Sequence, residues 1–268
     1  MTKLHKAQRD RYESYYRNSK LSCLDIPDYK ISGQLVLKRK KILILGSGEA
    51  RDTKYLMKNN YLTAVDFSET AVKYLKGIGI QAYQLDLDDS LPFDNNSYDI
   101  VVAKDILEHL KDPLNLGKEI HRVLKPNGYA VINVPNHFYL PMRLRILFGK
   151  NLIWRSLLHN HTKDFKEWNY MHKTYFTWKG FQEYIEDCGF KIVKKYWDLG
   201  TLNHYEQPEM AIDYLRKTGR IRNIYLKVFE VSWQIVNLIL PRILRSKMVE
   251  LSPGLFSASF YVWVSPRK

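Results

Sequence analysis

Residues 41–66, KILILGSGEARDTKYLMKNNYLTAVD, decide the fold. The stretch opens on Ile42-Leu43-Ile44-Leu45, an unbroken apolar run suited to a strand buried on both faces of a parallel sheet. Gly46-Ser47-Gly48 follows at once, and two glycines there let the backbone turn sharply and let a ligand approach it. Arg51 to Lys58 reads as a helix. A second apolar segment, Leu62 to Val65, ends in Asp66. An acid about 20 residues beyond a glycine turn, at the end of the next strand, is placed to accept hydrogen bonds from ribose hydroxyls. A dinucleotide site wants a third glycine three residues after Gly48, and that position holds Arg51, preceded by Ala50. The pattern therefore fits a smaller, cationic nucleoside cofactor and disfavours a dinucleotide oxidoreductase.

Outward from this stretch the alternation continues. Ser68 is a suitable N-cap for a helix from Glu69 to Lys76, ended by Gly77 and Gly79. Gln81 to Leu85 reads as the third strand, closed by Asp86, and an acidic loop runs on to Leu91-Pro92-Phe93. Tyr98 to Ala103 is the fourth strand, and Asp105 to Leu110 a short helical turn. Asp112-Pro113 is a cap followed by proline at the first helical position, and that helix runs to Leu124. Lys125-Pro126-Asn127-Gly128 stops it, and Tyr129 to Val134 is the fifth strand. Strand and helix alternating in this way specify an α/β, doubly wound, mostly parallel sheet. Ligands in such sheets lie at the carboxyl ends of the strands, where Gly46, Asp66, Asp86, Lys104 and Pro135 fall.

The ordered motifs GSG, VD, DLDDSLPF, YDIVVAKDILEHL and RVLKPNGYAVINVPN resemble those of class I S-adenosylmethionine-dependent methyltransferases. The resemblance is strongest to the branch that methylates small molecules, quinones, sugars and lipids. It is dense from Lys41 to Asn136 and looser from Met171 to Phe190, where HKTYFTWKGFQEYIEDCGF resembles the family's segment before strand six. PGLFSASFYVWVSPRK resembles its closing strand. The resemblance implies a Rossmann-like sheet of seven strands with an antiparallel last strand, plus helical inserts. It also implies S-adenosyl-L-methionine as cofactor. Gly46, Ser47 and Gly48 would face its methionine end, Asp66 beside Phe67 its ribose, Asp86 and Leu87 its adenine, and Lys104 and Asp105 the transferring methyl. The third small position of the glycine motif is Ala50 here.

Methyl transfer from a sulfonium is an in-line displacement for which the protein supplies mainly alignment. An oxygen or nitrogen nucleophile must also lose a proton, and a positioned His or carboxylate can take it. His109, His137 and His172 are the candidates, with Asp105 and Glu108 behind them. Glu108 reads as structural, bonding backbone near the strand ends. No metal site is expected, since the histidines do not pair with acids at ligand spacing.

The organisation expected is a helical lead-in over 1–40, a core over 41–198 and 255–268, and a helical insert over 199–254. Residues 136–168 and the insert are rich in apolar and basic side chains, Arg143, Arg145, Arg216 and Arg220 among them. Such segments pack on their own domain or lie on an anionic bilayer. The net charge of +14 points to an anionic partner or plain solubility. Two cysteines, Cys23 and Cys188, make no disulfide framework, and no apolar signal core opens the chain, so a cytoplasmic location, with peripheral membrane contact open, is expected. Three functions stay open: transfer to an oxygen (less readily carbon or nitrogen) of a small-molecule, sugar or lipid acceptor; transfer to RNA, for which 19 tyrosines could stack on bases; and a non-catalytic cofactor-binding scaffold.

Overall fold

The computed structural model describes residues 37–50, 53–149, 172–198, 242–257 and 259–267. Strand β1 (Lys41–Leu45) is its centre. Ile42 and Ile44 point into one apolar cluster and Leu43 and Leu45 into another, and none is more than 3% exposed. Burying four such side chains is worth about 6–12 kcal/mol as an upper bound, which is why this run sits in the middle of the sheet. Strand β2 (Tyr61–Asp66) pairs with it in parallel on one side, and β4 (Tyr98–Lys104) on the other. Strands β3 (Gln81–Gln84), β5 (Leu124–Pro135), β6 (Phe190–Asp198) and β7 (Ser259–Pro266) complete a seven-stranded sheet ordered β3-β2-β1-β4-β5-β7-β6. Strand β7 runs antiparallel to both its neighbours, as the family resemblance implied. Strand β5 starts earlier than Tyr129, because Leu124 already pairs with Tyr98 before a register shift.

Helix α1 (Glu69–Gly77) starts where the Ser68 hydroxyl accepts from the Ala71 amide at 3.2 Å, and it buries Val72 and Leu75 against the Ile42 face. Helix α2 (Pro113–Val123) is capped by Asp112, whose carboxylate accepts from the Asn115 amide at 3.1 Å. The short α3 (Leu140–Leu147) follows β5. Helix α4 (Trp178–Asp187) is capped by Thr177, which accepts from the Gly180 amide at 3.0 Å. Leu116 and Ile120 of α2 and Phe181 and Ile185 of α4 fill the opposite, Leu43 face. Helices α5 (Arg242–Leu251) and α6 (Pro253–Phe256) lead into β7.

The segment read as a helix from Arg51 is, in its described part, a 3-10 helix over Lys54–Asn59. Thr53 makes no side-chain cap there, and Asn60 closes the turn by donating to the Leu56 carbonyl at 2.9 Å and the Leu37 carbonyl at 3.1 Å. The expected lead-in helices, most of the 136–168 segment and the 199–241 part of the insert lie outside the described residues. Among the described residues no helix is long and apolar enough to cross a membrane.

Candidate functional site

Parallel strands β1 to β4 end in one row, and the site grows from the turns that follow them. After β1 the backbone turns left-handed at Gly46 (φ 63°), Gly48 (φ 50°) and Ala50 (φ 51°). Gly46 has no room for a side chain: a Cβ there would stand 2.8 Å from Ile106 Cδ1. Ala50, fully buried, takes a conformation that usually belongs to glycine and costs an L-residue about 1–2 kcal/mol. The turn is held by the Ser47 amide donating to the Val65 carbonyl at 3.0 Å and the Ala50 amide donating to the Ser47 carbonyl at 2.8 Å.

Asp66, 6% exposed, ties this turn to the next. One carboxylate oxygen accepts from the Gly48 amide at 2.7 Å and the other from the Ser68 amide at 2.8 Å. These two bonds fix the plane of the carboxylate at the mouth of the glycine turn. Phe67 beside it is half-buried. The Ser47 hydroxyl is buried and has no hydrogen-bond partner among the described residues, which marks a place where a ligand can supply one. A fixed acid, a turn with glycine at 46 and 48, and an orphaned hydroxyl fit a nucleoside cofactor.

After β3, Asp86 folds its own loop, accepting from the Asp88 amide at 3.0 Å through the side chain and from the Asp89 amide at 3.2 Å through the carbonyl. Leu87 is buried behind it. The loop is clamped from below by Arg122 of α2. Its guanidinium donates to both Glu119 oxygens, at 2.8 and 2.7 Å, and to the carbonyls of Leu91 and Phe93, at 2.9 and 2.7 Å. Glu119 in turn accepts from the Leu91 amide at 2.7 Å. The Arg122 hydrogen bonds hold the Glu119 carboxyl below its ordinary range. The sequence reading passed over this pair.

After β4, Lys104 is half-buried and Asp105 is exposed, with a left-handed φ of 50°. Asp105 is steadied by Asn133 on β5, whose carbonyl accepts from the Asp105 amide at 3.1 Å and whose side-chain amide donates to the Asp105 carboxylate at 2.5 Å.

The three candidate histidines converge. His109 lies in the short 3-10 turn Leu107–His109, His137 follows β5, and His172 precedes α4. His137 Nε2 and His172 Nδ1 share a hydrogen bond of 2.6 Å, and the His109 and His172 rings meet edge to face with centroids 4.7 Å apart. The main chain builds this meeting: the Glu108 carbonyl accepts from the amides of Lys173 and Thr174 at 2.7 and 3.2 Å. Asn136 adds a strut, donating to the carbonyls of Gly254 and Ser257 at 3.1 and 2.7 Å. Burial pushes His137 down to about 4. It pushes His172 down to about 2, with His109 and His137 adding to the effect. Both are neutral imidazoles at pH 7.

Two expectations change. Glu108 is 1% exposed, and one of its carboxylate oxygens, Oε2, has no partner among the described residues. Its expected role in bonding backbone is carried mainly by its main-chain carbonyl, with the carboxyl also accepting from its own backbone amide. Burial first and the charge of Asp105 second raise its carboxyl well above the usual range. The expected lack of acid–histidine pairing also fails. Potential ligand atoms of Glu108, His109 and His172 all lie within 4.8 Å of one another.

Residues 43–132 match the family described as "Methyltransferase domain". The chain carries a class I S-adenosylmethionine-dependent methyltransferase domain. Over 85 residues it is 38% identical to the demethylmenaquinone methyltransferase of Staphylococcus epidermidis, covering 30% of this chain and 35% of that protein. Over 143 residues it is 27% identical to the ubiquinone biosynthesis O-methyltransferase of Coxiella burnetii, covering 51% of this chain and 60% of that protein. The chain thus matches less than two thirds of the length of these relatives. In fold the methyltransferase domain resembles an S-adenosylmethionine-dependent methyltransferase from Methanosarcina mazei, with a TM-score of 0.56 and 16% identity over 90% of this chain and 99% of that one. It also resembles phosphoethanolamine N-methyltransferase 2 of Haemonchus contortus in complex with S-adenosyl-L-methionine, with a TM-score of 0.53 and 16% identity over 87% of this chain and 50% of that one.

Proposed function

We propose that this methyltransferase domain transfers its methyl group to a hydroxyl oxygen of a small-molecule, sugar or lipid acceptor. The observation that carries the reading is the meeting of His109, His137 and His172 beside the β4 end. Bound S-adenosyl-L-methionine supplies an electrophilic methyl on a sulfonium, and the chain does the rest. Gly46, Ser47 and Gly48 receive the methionine part, Asp66 with Phe67 the ribose, and Asp86 with Leu87 the adenine. Lys104 and Asp105 border the reacting end. A neutral hydroxyl is a poor nucleophile until its proton is shared with a neighbouring base. His109, at the edge of the cluster, is the imidazole placed to share that proton, with the neutral His137 and His172 packed behind it. The quinone-related names of two relatives support an acceptor of that class.

The test uses cofactor labelled on the methyl group. Purified protein is incubated with extract of its own host, then the extract is split into lipid, glycan, RNA and small-molecule fractions. Label in the lipid, glycan or small-molecule fraction, and none with Asp66→Ala, supports the reading. Label in RNA replaces the acceptor class, and cofactor binding without transfer moves the chain to a scaffold role.

A further inference from the structure

The acid–histidine cluster at the ends of β4 and β5 has more built into it than a proton site needs. Glu108 is almost wholly buried, yet Oε2 faces no donor among the described residues. A carboxylate in that position costs several kcal/mol unless a proton or a cation compensates it. Its neighbours are suited to the second solution. Glu108, His109 and His172 bring one ligand atom each to within 4.8 Å of one another. Bonds of about 2.1 Å to a tetrahedral ion place ligand atoms about 3.4 Å apart, so side-chain adjustments alone close the set.

We propose that Glu108, His109 and His172 bind one divalent transition-metal ion, with His137 as the residue that orients His172. Two histidines and one carboxylate with open positions suit zinc, manganese, cobalt or ferrous iron rather than the all-oxygen preference of calcium. A metal-bound histidine characteristically uses its second ring nitrogen for an orienting hydrogen bond, and the 2.6 Å contact between His172 Nδ1 and His137 Nε2 is that bond. His172 therefore binds through Nε2. The set is rigid in the direction that matters, because the Glu108 carbonyl holds the amides of Lys173 and Thr174. The ion's role, which rests on the hydroxyl-acceptor reading, is to bind the acceptor oxygen at an open position and make its proton easier to remove; with the ion bound, His109 and His172 serve as its ligands and the proton passes instead to the exposed carboxylate of Asp105.

The experiment uses tag-free full-length protein stripped with EDTA and titrated with Co2+, followed by its visible d–d absorption, with Zn2+ competition and Mn2+ paramagnetic resonance alongside. One ion per chain is expected. Glu108→Gln and His172→Ala each weaken binding by about 100-fold or more, and His137→Ala by about 10–100-fold. Glu183→Gln, on an exposed face of α4, leaves it unchanged. Glu108→Gln keeps the shape of the side chain and removes the buried charge, and circular dichroism and thermal melting against wild type check its folding. Failure of all three ions to bind stoichiometrically overturns the site, as does undiminished binding by Glu108→Gln. The spectra need no turnover, so the site stands or falls apart from the transfer assay. Transfer at full rate by metal-free protein overturns the ion's role.

Discussion

Replacing Asp66 tests the joint between fold and cofactor site. In Asp66→Ala the amides of Gly48 and Ser68 lose their acceptor in a site 6% exposed. A buried donor left unpaired costs about 1–3 kcal/mol, and some water can enter the space of the lost carboxylate, so about 2–4 kcal/mol of stability goes. For a domain of this size that is a fall in melting temperature on the order of 5–10 °C. Loss of the ribose acceptor removes about 1–3 kcal/mol of binding, or about 5- to 150-fold in affinity. Asp66→Asn sharpens the test. It keeps one oxygen but turns an NH2 group toward either Gly48 or Ser68, donor against donor, so its stability falls nearly as far as that of alanine. Thermal denaturation reads the first effect, and calorimetric titration with S-adenosylhomocysteine the second. An Asp66→Asn protein with wild-type melting and affinity would refute the reasoning, because it would show that the two oxygens are not both engaged.

Gly117→Ala would place a Cβ 2.1 Å from Cys188 Sγ and 2.7 Å from Tyr184 Oη, so α2 and α4 must separate, and urea unfolding should show a loss of about 3 kcal/mol. Gly46→Ala combines a φ of 63° with a 2.8 Å approach to Ile106, and should lower melting temperature and cofactor affinity together. Glu119→Gln should cost about 1–3 kcal/mol at pH 7. Because hydrogen bonding to Arg122 depresses the Glu119 carboxyl, that contribution is present above the unfolded value of about 4.3 and is lost as pH falls through the folded one. Urea midpoints of the two proteins should therefore converge once the pH lies below the folded value of Glu119, and a gap that persists when the carboxyl is fully protonated contradicts the clamp.

The parts of the fold that were legible are those written in local periodicity. Ile42 to Leu45 announced a strand buried on both sides, and Ser68 and Asp112 stand where the caps are. The antiparallel β7 was read from the family resemblance, not from its own pattern. The helix expected from Arg51 is a 3-10 turn in its described part, since its apolar residues alone do not distinguish 3.0 from 3.6 residues per turn. The histidine cluster was legible only as separate candidates. His172 follows a long segment of unrelated pattern, and the Glu108 carbonyl and the Asn136–Phe176 bridge, main-chain contacts without sequence signature, bring it back to His109. For the same reason the Glu108–His109–His172 set escaped a reading based on ligand spacing. The Arg122 clamp joins side chains to carbonyls of a loop, a pairing that residue types do not reveal.

The central claim is transfer to a hydroxyl oxygen beside the three histidines. The most direct measurement is the 13C spectrum of the product formed from cofactor enriched on its methyl carbon. A single new resonance is expected in the O-methyl region, strongly reduced in Asp66→Ala at limiting cofactor and in His109→Ala. A resonance in the N-methyl or C-methyl region, or an O-methyl product formed at the wild-type rate without His109, would contradict it.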